Sequence, residues 1–167
     1  MRILPRLAIL LFLFPILGCG PSNYILNQQI EMGPFVFKVT GASEGFDYLV
    51  SGGRYKKIYI DLLLDPEKCE KTSIRFDDFM NGMSKGNKLI IFPTMKIKDK
   101  SGVKFDGDVK KISGSARWRA EFWLIVPRRG NKSRLDYLDR TTSDFNLIIK
   151  NPDKRKGQPG TIQIKLS

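Results

Sequence analysis

Apolar and polar side chains alternate along much of the chain, in short segments that end at turn residues. Phe35, Phe37 and Val39 alternate with Val36 and Lys38. A two-residue period of this kind predicts a β-strand with one buried face. The same period recurs in five later segments, at 58–64, 95–98, 118–126, 145–149 and 162–166, and a continuous apolar run lies at 89–92.

Glycine-containing turns separate these segments, and almost nothing in the chain has the period of a helix. The predicted turns are Ser51-Gly52-Gly53, Lys100-Ser101-Gly102, Asp106-Gly107-Asp108, Arg129-Gly130-Asn131 and Gln158-Pro159-Gly160. Residues 76–80 predict a single helical turn between strands. Six to eight short strands with one apolar face each predict an all-β domain, built as an antiparallel β-sandwich of two packed sheets.

The N-terminus has a different pattern, in which a basic start is followed by an apolar run. Arg2 and Arg6 are the only charges before Glu31, and residues 7–17 are apolar. Such a run is too short to span a bilayer, which takes about 20 residues, and it contains Pro15. The layout predicts a secretory signal peptide.

The signal peptide ends in Ile16-Leu17-Gly18-Cys19, which resembles the lipobox of bacterial lipoproteins. The resemblance implies removal of residues 1–18, acylation of Cys19, and attachment to a membrane of the bacterial cell envelope through the lipid. Gly20, where aspartate would favour the inner membrane, implies the outer membrane. The alternative is an ordinary cleaved signal peptide that happens to contain a cysteine.

The mature chain is predicted to be a lipidated tether at 19–32 followed by one β-sandwich domain at 33–167. The tether assignment depends on the polar, non-periodic stretch that follows Cys19. If Cys19 carries lipid, Cys69 has no intramolecular partner, and its charged neighbours predict an exposed loop thiol.

Three of the strand segments resemble the telokin-like, immunoglobulin-like domains of many bacterial lipoproteins. The similarity lies in residues 35–39, 57–62 and 120–127. It implies an immunoglobulin-like fold and a non-catalytic adaptor or binding role, with no functional residues to transfer. The chain departs from the pattern in the two further strands predicted after Pro127 and in a second strand that lacks an asparagine-rich end.

The charge is strongly positive and unevenly distributed. The formal net charge is +12, and residues 91–167 contain eighteen basic against eight acidic side chains, whereas residues 19–90 contain nine of each. Basic clusters attract anionic partners, which for an exported protein are anionic lipids, acidic glycans or envelope proteins. The predicted anion-binding surface consists of Lys110, Lys111, Arg128, Arg129, Lys132 and Arg134. A solvated surface that only keeps the protein soluble is the alternative.

The composition restricts the chemistry that the chain can carry out. Without histidine, Ser-His-Asp and Cys-His catalysis and histidine-ligated metals are excluded. Ser101-Gly102-Val103-Lys104 has the spacing of a Ser-x-x-Lys nucleophile, but it lies in a turn and not at a helix start. No cofactor motif is present, and no metal ligand set is predicted.

Two close carboxylate pairs keep an enzymatic alternative open. Asp77-Asp78 and Asp106-Gly107-Asp108 could belong to a hydrolase or a Ca²⁺ site, although such residues are more typical of turns and helix caps. Of the two tryptophans, Trp118 is predicted to be in the core. Trp123, on the opposite face of the same strand, is either an exposed binding aromatic or is covered by C-terminal strands.

Taken together, these patterns favour a non-catalytic, membrane-anchored binding or structural module with an anionic partner and no cofactor. An anchored or secreted hydrolase is the alternative. Extracellular nucleic-acid binding is a weaker one, because no aromatic stacking platform accompanies the basic residues.

Overall fold

A computed structural model describes residues 21–48, 54–82, 94–124, 137–153 and 155–167. Within these ranges the chain forms nine strands, one short α-helix and one 3₁₀ turn, so the all-β prediction is confirmed. The strands are β1 (Ser22–Tyr24), β2 (Gln29–Met32), β3 (Phe35–Tyr48), β4 (Arg54–Leu64), β5 (Met95–Asp99), β6 (Lys104–Lys111), β7 (Arg117–Trp123), β8 (Phe145–Lys150) and β9 (Thr161–Lys165). Helix α1 is Phe76–Asn81, where one helical turn was predicted, and the 3₁₀ turn is Thr142–Asp144.

The strands form one continuous mixed sheet in the order β1-β9-β8-β5-β6-β7-β4-β3-β2. All neighbouring pairs among β2 to β9 are antiparallel, as predicted. The purely antiparallel prediction is wrong at the edge, because β1 pairs parallel with β9 through Ser22 and Ile162, Asn23 and Gln163, and Tyr24 and Ile164.

Two strands, β1 and β2, lie within the predicted tether at 19–32 and belong to the sheet. Ile30 and Met32 of β2 are completely buried in the core. Sequence periodicity missed β2 because the strand is only four residues long, too short to show a repeated alternation.

The sheet curls strongly, because its two edge strands are consecutive in the chain. Only residues 25–28 connect β1 to β2, although the two strands stand at opposite ends of the strand order. Asn27 makes this short connection with a positive φ of 65°, and its N–H donates to the carbonyl of Val39 at 2.8 Å. The outer edges of the sheet are therefore brought close to one another.

Strand β6 changes partner along its length, and a turn was predicted at the point of change. Lys104, Phe105 and Asp106 pair with β5, whereas the residues from Gly107 to Lys111 pair with β7. The prediction of a turn at Asp106-Gly107-Asp108 is wrong, because the glycine serves as a site of close packing within the strand. A Cβ atom at Gly107 would overlap the ring of Phe122, its direct partner on β7.

Helix α1 covers the edge of β6 beyond Asp106, where β5 no longer pairs with it. The Asn81 side chain donates to the carbonyl of Val109 and accepts from its N–H, both at 2.8 Å. At the same end, the N–H of Thr94 donates to the carbonyl of Met80 at 3.3 Å, just before β5 begins. The helix thus satisfies strand groups that would otherwise lack a partner.

The alternation that predicted the strands corresponds to the observed core. Phe37, Ile60, Ile97, Leu147 and Ile164 are fully buried, each at an apolar position of a predicted strand. Residues of β5, β8 and β9 and residues of β7, β4 and β3 belong to one apolar cluster. Helix α1 completes this cluster with Phe76, Phe79 and Met80. The predicted apolar run at 89–92 and the turns at 51–53 and 129–131 lie outside the described residues.

Candidate anion-binding face

The β5–β6 hairpin is held by a buried carboxylate at its turn. Asp99 is 4% exposed and accepts hydrogen bonds from the Ser101 hydroxyl at 2.8 Å, the Val103 N–H at 2.8 Å and the Tyr137 hydroxyl at 3.1 Å. Burial by itself raises the pKa of Asp99, but the hydrogen bonds from Ser101, Val103 and Tyr137 together hold it below its ordinary value. Asp99 therefore stays ionised and fixes the turn.

The same hydrogen bonds explain the Ser-x-x-Lys spacing at 101–104. The Ser101 hydroxyl is bonded to Asp99, and Gly102 takes a positive φ of 92° at the turn. Lys104 begins strand β6 on the far side of that turn. The Ser-x-x-Lys spacing therefore belongs to a hairpin turn, as expected from the position of Ser101 in a predicted turn.

The fixed hairpin register places lysines side by side on the outer face. Lys98 of β5 lies directly opposite Lys104 of β6 and, on its other side, opposite Asn146 of β8. Asn146 in turn lies opposite Lys165 of β9. We call Lys98, Lys104 and Lys165 the lysine row. With strands about 4.8 Å apart, it crosses roughly 15 Å of the sheet.

The lysine row has no compensating acidic side chain in the part of the chain that the structure describes. None of its three ammonium groups forms an ion pair or a hydrogen bond there. Asp99, next to Lys98 in sequence, is buried and bound to Ser101, Val103 and Tyr137. Two other acids near the row bind other lysines: Asp106 binds Lys96 at 2.6 Å, and Asp144 binds Lys100 at 3.4 Å. The row therefore carries a positive charge that no acidic side chain in the described ranges balances. Like charges on directly opposed residues destabilise a sheet.

The outer face of β4, β7 and the second half of β6 (Gly107–Lys111) is different, because it carries several ion pairs; we call it the paired face. Arg119 donates to Asp61 at 2.8 Å, and its guanidinium lies 5.3 Å from the ring centre of Tyr59. The bond to Asp61, partly offset by burial, raises the pKa of Arg119. Lys57 lies 3.7 Å from the Glu121 carboxylate.

Two residues of the predicted anion-binding surface lie on β6: Lys110 is on the paired face, whereas Lys111, directly opposite Trp118, is on the other face of the sheet. Lys110 forms an ion pair with Asp108 at 3.1 Å, and the Lys111 ammonium lies 5.5 Å from the ring centre of Trp118. Both side chains are exposed. The other four residues, Arg128, Arg129, Lys132 and Arg134, lie outside the described residues, so the surface as a whole stays a prediction.

The two tryptophans differ as the strand period requires. Trp118 is buried, as predicted, with its ring edge-on to Phe76 at 5.1 Å. Trp123 is 48% exposed, and the Lys57 ammonium lies 4.8 Å from its ring centre. Trp123 is therefore exposed, and its role as a binding aromatic stays a prediction.

The four candidate carboxylates lie on two separate elements. Asp77 and Asp78 belong to α1, where Asp77 forms a bidentate pair with Arg75. Asp106 and Asp108 are exposed on β6, and each binds a lysine. Among the described residues, no three acidic, cysteine or histidine side chains group in a way that could hold a metal ion.

Cys69 is less exposed than its charged neighbours suggested. It lies in the predicted loop, but its thiol is half-buried against the core and donates to the Asp65 carbonyl at 3.1 Å. The Val36 N–H donates to the sulfur at 3.4 Å. The prediction of an exposed thiol is wrong, because the loop folds back over the start of β3.

A shallow depression lies beside this loop. It has a volume of about 240 Å³ and is lined by Lys38, Leu63, Leu64, Asp65, Pro66 and Glu67. Pockets that enclose a small molecule usually have about 300–1,000 Å³. The depression is therefore small for an enclosed ligand.

Comparisons with protein-family models, with curated proteins and with solved structures give no match to this chain. Among the described residues, no helix has both the length and the apolar character needed to cross a membrane. The lysine row is thus the feature of the described surface that carries most functional information.

Sequence reasoning missed the lysine row as a unit, although the pattern that brings two of its three lysines together was available. A hairpin centred on the Lys100-Ser101-Gly102 turn pairs residues whose numbers are symmetric about it, which places Lys98 opposite Lys104. Lys165 could not be found this way. It joins the row only through β8, and no local pattern shows that β8 lies between β5 and β9.

Proposed function

We propose that this protein is a lipoprotein of the bacterial cell envelope, acylated on Cys19, whose β domain is a non-catalytic binding module for an anionic component. The lysine row is the observation that carries this proposal. Cys19 and the signal peptide at 1–18 lie outside the described residues, and their part of the proposal depends on the lipobox pattern.

An anionic partner accounts for a surface that is otherwise unfavourable. Lys98 and Lys104 are direct neighbours of like charge, and Lys165 continues the row across β9. Phosphate or carboxylate groups placed over the row would remove the repulsion and form charge-assisted hydrogen bonds. The Asn146 amide, between Lys98 and Lys165, offers an uncharged donor in the same row.

For the fold, we propose a β-sandwich that is immunoglobulin-like and similar to telokin-like lipoprotein domains. The division of β6 at Gly107 supports two packed halves, one containing β5, β8 and β9 and the other β7, β4 and β3. The single apolar cluster shared by both halves is the core that such a sandwich would have.

The hydrolase alternative has less support. General acid catalysis needs a carboxyl whose pKa is raised, and hydrolysis by paired acids needs two carboxyls at one cleft. Asp106 and Asp108 lie on an exposed strand face and bind lysines, while Asp77 binds Arg75 on α1. Scattered acids and an uncompensated basic row favour binding over hydrolysis.

The proposal is tested by neutralising the lysine row in the full-length protein, purified in a neutral detergent. Lys98, Lys104 and Lys165 are replaced together by Gln, and binding to polyphosphate is measured at about 0.05 M and 0.2 M salt. We expect affinity to fall at least tenfold at the lower salt, since each basic residue at an anionic surface is worth about 1 kcal/mol.

A matched control carries the same loss of charge on β6 and β7, outside the lysine row. Lys110, Lys111 and Arg117 are replaced together by Gln, and we expect less than a threefold loss of affinity. Equal losses in the two triple variants would mean that only net charge matters, and the lysine row would have no special role. Loss of affinity only in the control variant would instead support the anion-binding surface predicted from the sequence, to which Lys110 and Lys111 belong.

A further inference from the structure

An exposed aliphatic residue lies beside the lysine row. Tyr24 of β1 pairs with Ile164 of β9, so the next residue on the parallel strand, Ile25, comes level with Lys165. Ile25 is 73% exposed, the highest value among the large apolar side chains that the structure describes. Its neighbour Leu26 packs on the core, so the exposure of Ile25 does not reflect a loose end of the chain.

The combination of a cationic row with a flanking aliphatic side chain fits a lipid surface better than a soluble polyanion. A soluble polyanion offers charge but no apolar phase. The interfacial region of a bilayer offers both, because phosphate groups lie above the first methylenes of the acyl chains. Isolated lysines reach such phosphates while their own apolar stems stay in contact with the sheet.

The position of β1 is consistent with this orientation. Strand β1 forms the edge of the same outer face, next to β9, and Ser22 follows Cys19 by three residues. Three residues span at most about 10 Å. If Cys19 carries a lipid, as the proposed function requires, the edge of the sheet that bears Ile25 stays near the bilayer.

We propose that the outer face of β5, β8 and β9 docks on an anionic membrane surface, with the lysine row on the lipid phosphates and Ile25 in the headgroup layer. The inference rests on the proposed function and names its partner as anionic lipid. The protein would then lie flat on the membrane, with the paired face directed away from it.

The test measures the reactivity of individual lysines in the full-length, lipidated protein reconstituted into vesicles. One set of vesicles is pure phosphatidylcholine and the other contains phosphatidylglycerol as a large minority component. A membrane-impermeant amine reagent is applied, and modification is read by mass spectrometry. We expect Lys98, Lys104 and Lys165 to react at least threefold more slowly on the anionic vesicles. Lys110 on the paired face is the internal reference and should react equally on both.

An Ile25→Ser variant separates the apolar contribution from the charge. We expect it to lose much of the protection on anionic vesicles while it binds polyphosphate in detergent as the unaltered protein does. Ile25 is outside the core, so the variant should keep the thermal stability of the unaltered protein, which is measured in parallel.

The two proposals fail in different ways. Equal reactivity of the lysine row on both kinds of vesicle, with polyphosphate binding intact, overturns the lipid inference and leaves an anion-binding module. If the unaltered protein shows neither polyphosphate binding nor lipid-dependent protection, the anion-binding function itself is overturned. Protection that persists unchanged in Ile25→Ser contradicts the assigned role of Ile25.

Discussion

Gly107 of β6 lies directly opposite Phe122 of β7, and the Phe122 ring occupies the space that a side chain at Gly107 would need. Both residues are buried, with Phe122 completely so. The close approach occurs where β6 exchanges β5 for β7 as its partner. One missing side chain therefore allows a single strand to serve both halves of the sheet.

Replacing Gly107 with Ala should destabilise the protein by about 1–3 kcal/mol, the usual cost of overpacking a core. The added methyl group would overlap the ring of Phe122, which is completely buried. The matched control is Gly41→Ala on β3, where an added Cβ meets nothing within 4 Å. Chemical denaturation of both variants is the measurement. Equal stability of the two would show that Phe122 moves aside without cost.

Much of the sheet could be predicted from local pattern, because one buried face leaves a period of two. Residues such as Ile58, Ile60 and Leu62 carry the period without interruption and are fully buried. Strand β6 could not be predicted, because Asp106-Gly107-Asp108 has the composition of a turn. Only Phe122, a residue distant in sequence, explains why glycine stands there.

The candidate site could be predicted only in its general character. The excess of positive charge after residue 90 is visible in composition, but composition does not distinguish paired from unpaired lysines. Lys110 and Lys104 are both exposed on β6, yet Lys110 has Asp108 within 3.1 Å whereas Lys104 lies opposite Lys98. Asp108 lies two residues before Lys110 on the same face of β6. Lys98 comes opposite Lys104 only through the register of the hairpin that the Asp99 turn fixes.

Lys56 should be a strong determinant of stability. Its side chain is almost fully buried, forms an ion pair with Glu44 at 2.6 Å, and donates to the carbonyls of Leu138, at 3.2 Å, and Arg140. Lys56→Met leaves these carbonyls without their donor, and an unsatisfied buried group costs about 1–3 kcal/mol. We expect a loss of about 2–4 kcal/mol in the free energy of unfolding.

The control for Lys56 is Lys110→Met, the same substitution at an exposed ion pair. Surface pairs contribute about 0–1 kcal/mol, so this variant should be nearly as stable as the unaltered protein. Hydrogen exchange gives a second measure, because Lys56 ties residues 138–140 to the sheet. Faster exchange of the backbone N–H of Arg140 is expected in Lys56→Met alone, and unchanged exchange would argue against the tie.

Cys19→Ala should abolish lipid attachment. The lipobox pattern makes the Cys19 thiol the acceptor, and the only other cysteine, Cys69, is half-buried and hydrogen-bonded in its loop. Cells fed radioactive palmitate should label the unaltered protein and a Cys69→Ala control but not Cys19→Ala. Continued labelling and membrane fractionation of Cys19→Ala would show that the lipoprotein assignment is wrong.

Asp99 should make the protein sensitive to acid. Burial opposes ionisation of Asp99, but the hydrogen bonds from Ser101, Val103 and Tyr137 outweigh it and lower its pKa below the ordinary value of 3.8. The partner shows the reciprocal effect, since burial and the bond to the Asp99 carboxylate raise the pKa of Tyr137. Asp144 also has a lowered pKa, through the hydrogen bond from the Thr141 N–H, and adds to the same acid response.

A carboxyl with a lowered pKa in the folded state stabilises the protein above its unfolded pKa, and this contribution is lost as pH falls through the folded pKa. The unaltered protein should therefore lose stability as pH falls below about 4. Asp99→Asn should be less stable at pH 7 and should lose less on acidification, because the contribution of the Asp99 carboxylate is then absent. Tyr137→Phe removes one hydrogen-bond donor to Asp99, and its loss of stability on acidification should lie between those of the unaltered protein and Asp99→Asn. Denaturation at several pH values measures all three, and parallel curves for Asp99→Asn and the unaltered protein would exclude Asp99 as the source of acid sensitivity.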